Sequence, residues 1–320
     1  MKNLSSHKKI NFYLLAETFV VFVALVLLAN FVWQLEANWK WLIYLPILVF
    51  QGLWLDRIYI IGHETTHRKL FPENRRLNDL FGMLSLLPLA VPLQVYRKIH
   101  QFHHGFNRRD VHTSALDTFV SKKPITKFRR FFYQTAWFIG VFGSGYFWHS
   151  FAAIVIFLFL PTATAVNISP AFKHWTGRDR LISWGQFLLG IAFHLAFYWL
   201  GGFTFWLVSL ALPILMFSWV WSLLVYIFHY DTSIGKDVRY NVRSLPRHWF
   251  FSWLLMNFNE HTTHHAYPNI PWYELPEKRI ELPENYVQNQ NVQTVWQAIL
   301  QQFRGAKIIY EPDFTPSESD

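Results

Sequence analysis

An all-α integral membrane protein is the fold class this sequence predicts, and three observations predict it. Only 15% of the 320 residues are charged, while 52% are hydrophobic and 19% aromatic. An average soluble domain carries about 25% charge, so charge here is too scarce to cover a water-facing globule. Long runs free of charge recur along the chain. Eight of the 15 histidines gather in three short clusters, HETTH at 63–67, HQFHH at 100–104 and HTTHH at 261–265. The expected architecture is one integral membrane domain over residues 1–320, with about four transmembrane helices in two hairpins, six being possible, plus interfacial helices and a cytoplasmic helical cap.

The elements follow in chain order. Residues 11–33 carry one charge, Glu17, and residues 41–62 carry only Asp56 and Arg57. About 20 apolar residues cross the hydrocarbon core, so the two runs, joined by a short loop at 34–39, form the first hairpin. Residues 77–95 are apolar but hold Asp79, Pro88 and Pro92, which favours a segment in the interface or dipping partway into the bilayer. Residues 97–130 are strongly basic, with Arg97, Lys98, Arg108, Arg109, Lys122, Lys123, Lys127, Arg129 and Arg130. The positive-inside rule makes this a cytoplasmic loop. Residues 131–172 are uncharged but interrupted by Pro161, Asn167 and Pro170, and read as a third hairpin or an interfacial helix. The spans 181–200 and 203–228, divided by Gly201 and Gly202, form the last hairpin. Residues 229–320 are polar and proline-rich and are expected to form the cytoplasmic cap.

Composition excludes several functions. There is no cysteine, which removes disulfide scaffolds, thiolate zinc sites, cysteine-ligated iron–sulfur clusters and cysteine nucleophiles. A net charge of +9 reads as loop topology and contact with anionic lipids, and nucleic acid is not an expected partner. The N-terminus lacks the small-residue site of a cleaved signal peptide.

The histidine clusters carry the chemistry. On a helix, residues spaced i, i+3 and i+4 share a face, so each cluster is expected to offer two or three imidazoles to the same point, as chelation requires. Eight ligand candidates result: His63, His67, His100, His103, His104, His261, His264 and His265. His229, at the exit of the last span, is the ninth. All fall just outside the hydrocarbon on the cytoplasmic side, and nine imidazoles exceed the needs of one ion, so a di-metal site is expected. Imidazole suits iron, zinc, copper and nickel alike, and spacing leaves the metal open. Asp56, seven residues before His63, and Glu260, four before His264, are placed to accept the second N–H of a ligand imidazole. Asp117 and Asp231 lie close to ligands in sequence. A non-catalytic metal-binding or transport protein is the alternative from another class. It is disfavoured because transport places ionisable groups at mid-bilayer, whereas here the candidate ligands collect at the membrane edge and the apolar run 181–228 carries no Asp, Glu, Lys or Arg.

The order HxxxH, HxxHH, HxxHH, with the string NFNEHTTHHAYPNIPWYELP at 257–276, resembles the membrane fatty acid desaturase and hydroxylase superfamily. The resemblance implies two non-haem irons held by the nine histidines, His229 being the lone ligand before the third box, with O2 as co-substrate. It implies an O2-dependent oxidoreductase acting on an aliphatic lipid chain, with a fatty acyl desaturase as the leading expectation. A carotenoid ring hydroxylase or ketolase, an alkane or fatty acid hydroxylase and an alkene-forming fatty acid decarboxylase share the scaffold. No haem-binding HPGG string is present, so electrons are expected from a separate ferredoxin, rubredoxin or cytochrome b5 type carrier with its reductase.

Overall fold

The computed structural model describes residues 4–113 and 117–311; residues 114–116 of the basic loop and 312–320 of the expected cap lie outside them. The described residues are predominantly helical, and the chain divides into two compact units, residues 1–98 with 150–220 and residues 99–149 with 221–320.

In the first unit, α1 (Leu4–Trp33) and α2 (Lys40–Thr66) form a helical hairpin. The rings of Trp33, Trp41 and Tyr44 pack edge to face at its turn, 5.1 to 5.9 Å apart, and the Lys40 ammonium stands 5.6 Å from the Trp41 ring. Aromatic rings with a snorkelling lysine are the usual furniture of a membrane–water boundary. Two of the charges inside these helices pair across the hairpin. Arg57 Nη2 lies 2.8 Å from Glu17 Oε2, so the neighbour of Asp56 is committed to α1. A lone charge in hydrocarbon is costly, and pairing across the hairpin relieves that cost.

Next, α3 (Arg75–Leu86) is capped by the Asn74 side chain, which accepts from Leu77 N. It passes through a 3-10 turn into α4 (Leu93–Phe106), and the two helices meet at 97°. Pro88 and Pro92 stand in this elbow, where Ala90 adopts φ 51°, because neither proline can continue a helical ladder. The elbow packs against α8 (Gly177–Trp206). Gly190 comes so close that an added Cβ would sit 2.8 Å from Ala90 Cα. His194 Nε2 donates to Pro88 O at 2.8 Å, and Trp206 Nε1 donates to His194 Nδ1 at 3.1 Å. Both nitrogens of this non-box histidine are thereby used in structure.

A capping box of Thr176 and Asp179 opens α8. From Gly177 to His229 the helical run is 53 residues, which would be about 80 Å long if straight, more than twice the roughly 30 Å hydrocarbon core. Gly202, at φ 78° and ψ −176°, breaks it; that backbone region is open essentially to glycine alone. A π-turn at Leu207–Ala211 then leads into α9 (Leu212–His229). Among the described residues, three helices are long and apolar enough to cross a membrane, or up to five if two sharply bent pairs each count as one span. Those pairs are Arg75–Leu89 with Leu93–Phe106 and Lys127–Phe142 with Gly145–Phe159.

In the second unit, α5 (Lys127–Phe142) turns by 91° into α6 (Gly145–Ile154), while α7 (Thr162–Ile168) belongs to the first unit. Trp137, Val141, Tyr226, Tyr230 and Ala306 form a buried cluster. The segment expected as a basic loop contains the end of α4, which carries the second histidine box, and strand β1 (Thr118–Ser121). Three short helices, α10 (Trp249–Leu254), α11 (His261–Ala266) and α12 (Val295–Gln301), lie toward the C-terminus. Strand β2 (Lys307–Tyr310) pairs in parallel with β1, Thr118 opposite Lys307.

Candidate metal centre

Two helices and one helix end bring seven histidines together within the second unit. α4 delivers His100, His103 and His104 from its last two turns. α11 delivers His261, His264 and His265, and α9 ends on His229. The short α11 is held in place by its approach. Met256 and Asn257 take left-handed backbone, Leu245 N bonds Asn259 O at 2.8 Å, Thr262 N bonds Ser244 Oγ at 3.0 Å, and Thr263 Oγ1 accepts from Ile280 N.

The imidazoles separate into two adjoining groups, so each HxxHH box is shared between them. His100, His104 and His264 belong to one group, and His103, His229, His261 and His265 form the other; within each, one ring nitrogen per residue lies within 4.8 Å of all the rest. The helical angle explains the division. Residues i and i+4 are about 40° apart around the axis, whereas adjacent residues i+3 and i+4 are about 100° apart. The pairs 100/104 and 261/265 therefore point the same way, while His103 and His264 each turn to the opposite group. The His104 and His265 rings stack at 4.3 Å where the groups meet.

The donor set fits metal ions. His104 Nε2 lies 3.0 Å from His100 Nε2 and 3.1 Å from His264 Nε2, and His261 Nε2 is 3.0 Å from His229 Nε2. Two nitrogens each about 2.1 Å from one ion and at right angles to it stand about 3.0 Å apart. His265 is buried with neither ring nitrogen hydrogen-bonded among the described residues, an arrangement that costs energy unless something else takes the lone pair. Burial, with the imidazoles around it, pushes the pKa of His265 far below its ordinary value. The ring is therefore neutral at pH 7 and its lone pair is available to a cation.

His63 and His67 stand in the first unit at the end of α2, ring centroids 5.0 Å apart. Asp56 is buried in the same helix. Glu260, fully buried at the start of α11, directs Oε1 to Arg279 Nη1 at 3.3 Å and accepts from Asn259 Nδ2; burial raises its pKa. Its carboxylate bonds run to these groups, and its main-chain carbonyl accepts the His264 backbone N–H at 3.0 Å. Asp231 is a surface residue in left-handed backbone, 3.9 Å from Lys307. Asp117 is buried, and both its oxygens lie 2.7 Å from Arg108 Nη1.

Arg108 is the residue the sequence reading passed over. It is fully buried. Beyond Asp117, its Nη2 donates to Thr232 O at 2.7 Å and its Nε to Ser233 O at 3.1 Å. Thr232 Oγ1 in turn donates to His229 O at 2.9 Å, and Asp117 Oδ2 accepts from Asp231 N. One guanidinium thus fixes the backbone immediately after His229 to the segment immediately after the second box. No spacing rule announces such a residue, since its partners lie up to 125 positions away.

Fold and site together define a membrane-type helical protein with two adjoining all-imidazole groups suited to metal. The chain belongs to the fatty acid desaturase family, whose profile matches residues 39–296. It is similar to the sn-1 acyl-lipid omega-3 desaturase (ferredoxin) of Nostoc sp. (strain 36), 25% identical over 254 residues, 74% of this chain and 66% of the relative. The protein of the same description from Synechocystis sp. is 25% identical over 252 residues, with the same shares. The sn-1 oleoyl-lipid 12-desaturase of Anabaena variabilis is 32% identical over 113 residues, 31% of this chain and 30% of the relative. The chain thus spans 66% of the length of the first two relatives.

Proposed function

We propose that this protein is an acyl-lipid desaturase that places a C=C bond in the hydrocarbon chain of a membrane lipid. The observation that carries the reading is the division of the boxed histidines into two adjoining groups, in a chain of the desaturase family. His103, His229, His261 and His265 hold one iron. His100, His104 and His264 hold the other, with His63 and His67 completing that ligand set, since they repeat the i, i+4 spacing of the chelating pairs. When bound, the two irons supply O2 activation and an oxidant able to take hydrogen from an unactivated methylene.

The chain's own residues do the rest. Neutral imidazoles fix the ions without adding negative charge, Arg108 and Asp117 hold the His229 loop in register, and burial of His261, His264 and His265 keeps bulk water from the centre. Phe228 lies against His261 at 4.6 Å, and Phe258 against His264 at 5.1 Å, adding an apolar wall. Electrons come from a separate ferredoxin, the donor named in the two omega-3 relatives; Lys122 and Lys123 are exposed beside β1 to meet an acidic carrier. By the positive-inside rule the site faces the cytoplasm.

The test is mass-spectrometric profiling of lipids in a host lacking its own desaturases and supplied with carotenoids. New double bonds in glycerolipid acyl chains are expected. Unchanged acyl chains with oxidised carotenoids, hydroxy-lipids or terminal alkenes would contradict the proposal.

A further inference from the structure

The C-terminal segment, expected from its polar sequence to sit in the cytoplasm as part of the cap, is tied to α9, part of a helical run long and apolar enough to cross a membrane. Gln302 is fully buried. Its Nε2 donates to Leu223 O at 3.0 Å, and its carbonyl accepts from Trp137 Nε1 at 2.9 Å. Three residues on, Gly305 O accepts from Tyr230 Oη at 2.7 Å, and the Gln134 amide bonds both N and O of Ala306 at 2.8 Å. Leu223 lies six residues before the end of α9, about 9 Å along the helix axis. The turn after α12 is thereby pinned below the exit of an apolar helix, at the depth an interfacial helix occupies.

The surface of this segment matches that depth. Trp296, Leu300 and Phe303 are 67%, 63% and 57% exposed, and their i, i+4, i+7 spacing sets them in one stripe. Val295, Ala298 and Gln302 face inward. The stripe continues onto α5 through the Phe142–Phe303 ring contact at 4.7 Å. There Phe131, Phe132 and Ile139 are also exposed, beside exposed Lys127, Arg129 and Arg130, with Arg304 next to Phe303. An apolar face edged by cations matches a bilayer surface carrying anionic headgroups.

We propose that α12 and its following turn form, with α5, a second membrane-contact surface. Trp296, Leu300 and Phe303 enter the acyl region, and Lys127, Arg129, Arg130 and Arg304 engage anionic lipid headgroups. The chain has no cysteine, so single-cysteine variants report one position each. Leu300→Cys and Trp296→Cys are labelled with an environment-sensitive fluorophore in nanodiscs containing phosphatidylglycerol, and quenching by a lipid-attached nitroxide is compared with quenching by iodide. Lys236→Cys, on an exposed loop, is the aqueous reference, and Leu215→Cys, exposed on α9, is the lipid reference. The expected lipid-to-aqueous quenching ratio at 300 and 296 is several-fold above that at 236 and close to that at 215. Ratios at 300 and 296 equal to that at 236, with 215 lipid-quenched, overturn the proposal. If 215 itself reads as aqueous, the embedding of α9 falls, and with it the proposal.

Discussion

At the scale of single residues, the division of the HxxHH boxes makes a prediction that a single pooled cluster would not. His103 and His100 are three residues apart on α4 but serve different groups. His103→Ala is expected to weaken iron in the group containing His229, and His100→Ala in the other, each by at least about tenfold. Each variant should retain one iron when titrated and measured by mass spectrometry and by spectroscopy of the remaining ion. Loss of both ions from either variant would show that the groups are not separable. Arg108→Met leaves Asp117 buried without its cation. Breaking such a pair from one side costs about 3 to 5 kcal/mol, read as a fall in thermal unfolding temperature, and displacement of the His229 loop should lower iron content as well. Asp117→Asn, which keeps an acceptor for Arg108, should cost less.

The boxes themselves were legible because ligand type and spacing are local properties of the chain. Their division was legible too, in the difference between i+3 and i+4, although the sequence reading assigned each box to a common point. Arg108 was not legible. Its importance comes from Asp117, Thr232 and Ser233 converging on it, and a basic residue in a basic loop gives no sign of burial.

At the scale of elements, the glycine pair at 201–202 and the prolines at 88 and 92 marked real changes of direction, since each changes what the backbone can do. Gly202→Ala has open space for its methyl group yet must hold φ 78°. A destabilisation of about 1 to 3 kcal/mol is expected from backbone strain alone, measured by thermal unfolding in detergent. An unchanged unfolding temperature would mean that the kink relaxes without consequence. The parallel pairing of β1 with β2 escaped the sequence because four-residue strands carry little pattern and their partners are nearly two hundred positions apart. Asp56 and Arg57 are adjacent, but helical geometry points neighbours in different directions, and Arg57 reaches across the hairpin to Glu17.

At the scale of the whole molecule, low charge, long apolar helices and imidazoles gathered around α4, α9 and α11 describe one design. On the proposed reading, α2, α4 and α9 carry candidate ligands at or near their ends and the short α11 supplies the rest, a placement within reach of both a lipid-borne chain and a water-borne electron donor. The central claim is that the two imidazole groups hold iron used to desaturate an acyl lipid. Its most direct test is to supply the purified, iron-loaded protein with reduced ferredoxin, O2 and an acyl lipid in nanodiscs, then locate double bonds in the product by mass spectrometry. The account predicts one new C=C bond in the acyl chain, formed by wild type and abolished in His264→Ala. An acyl chain that gains a hydroxyl group, or stays unchanged while the protein carries its full iron, would contradict it.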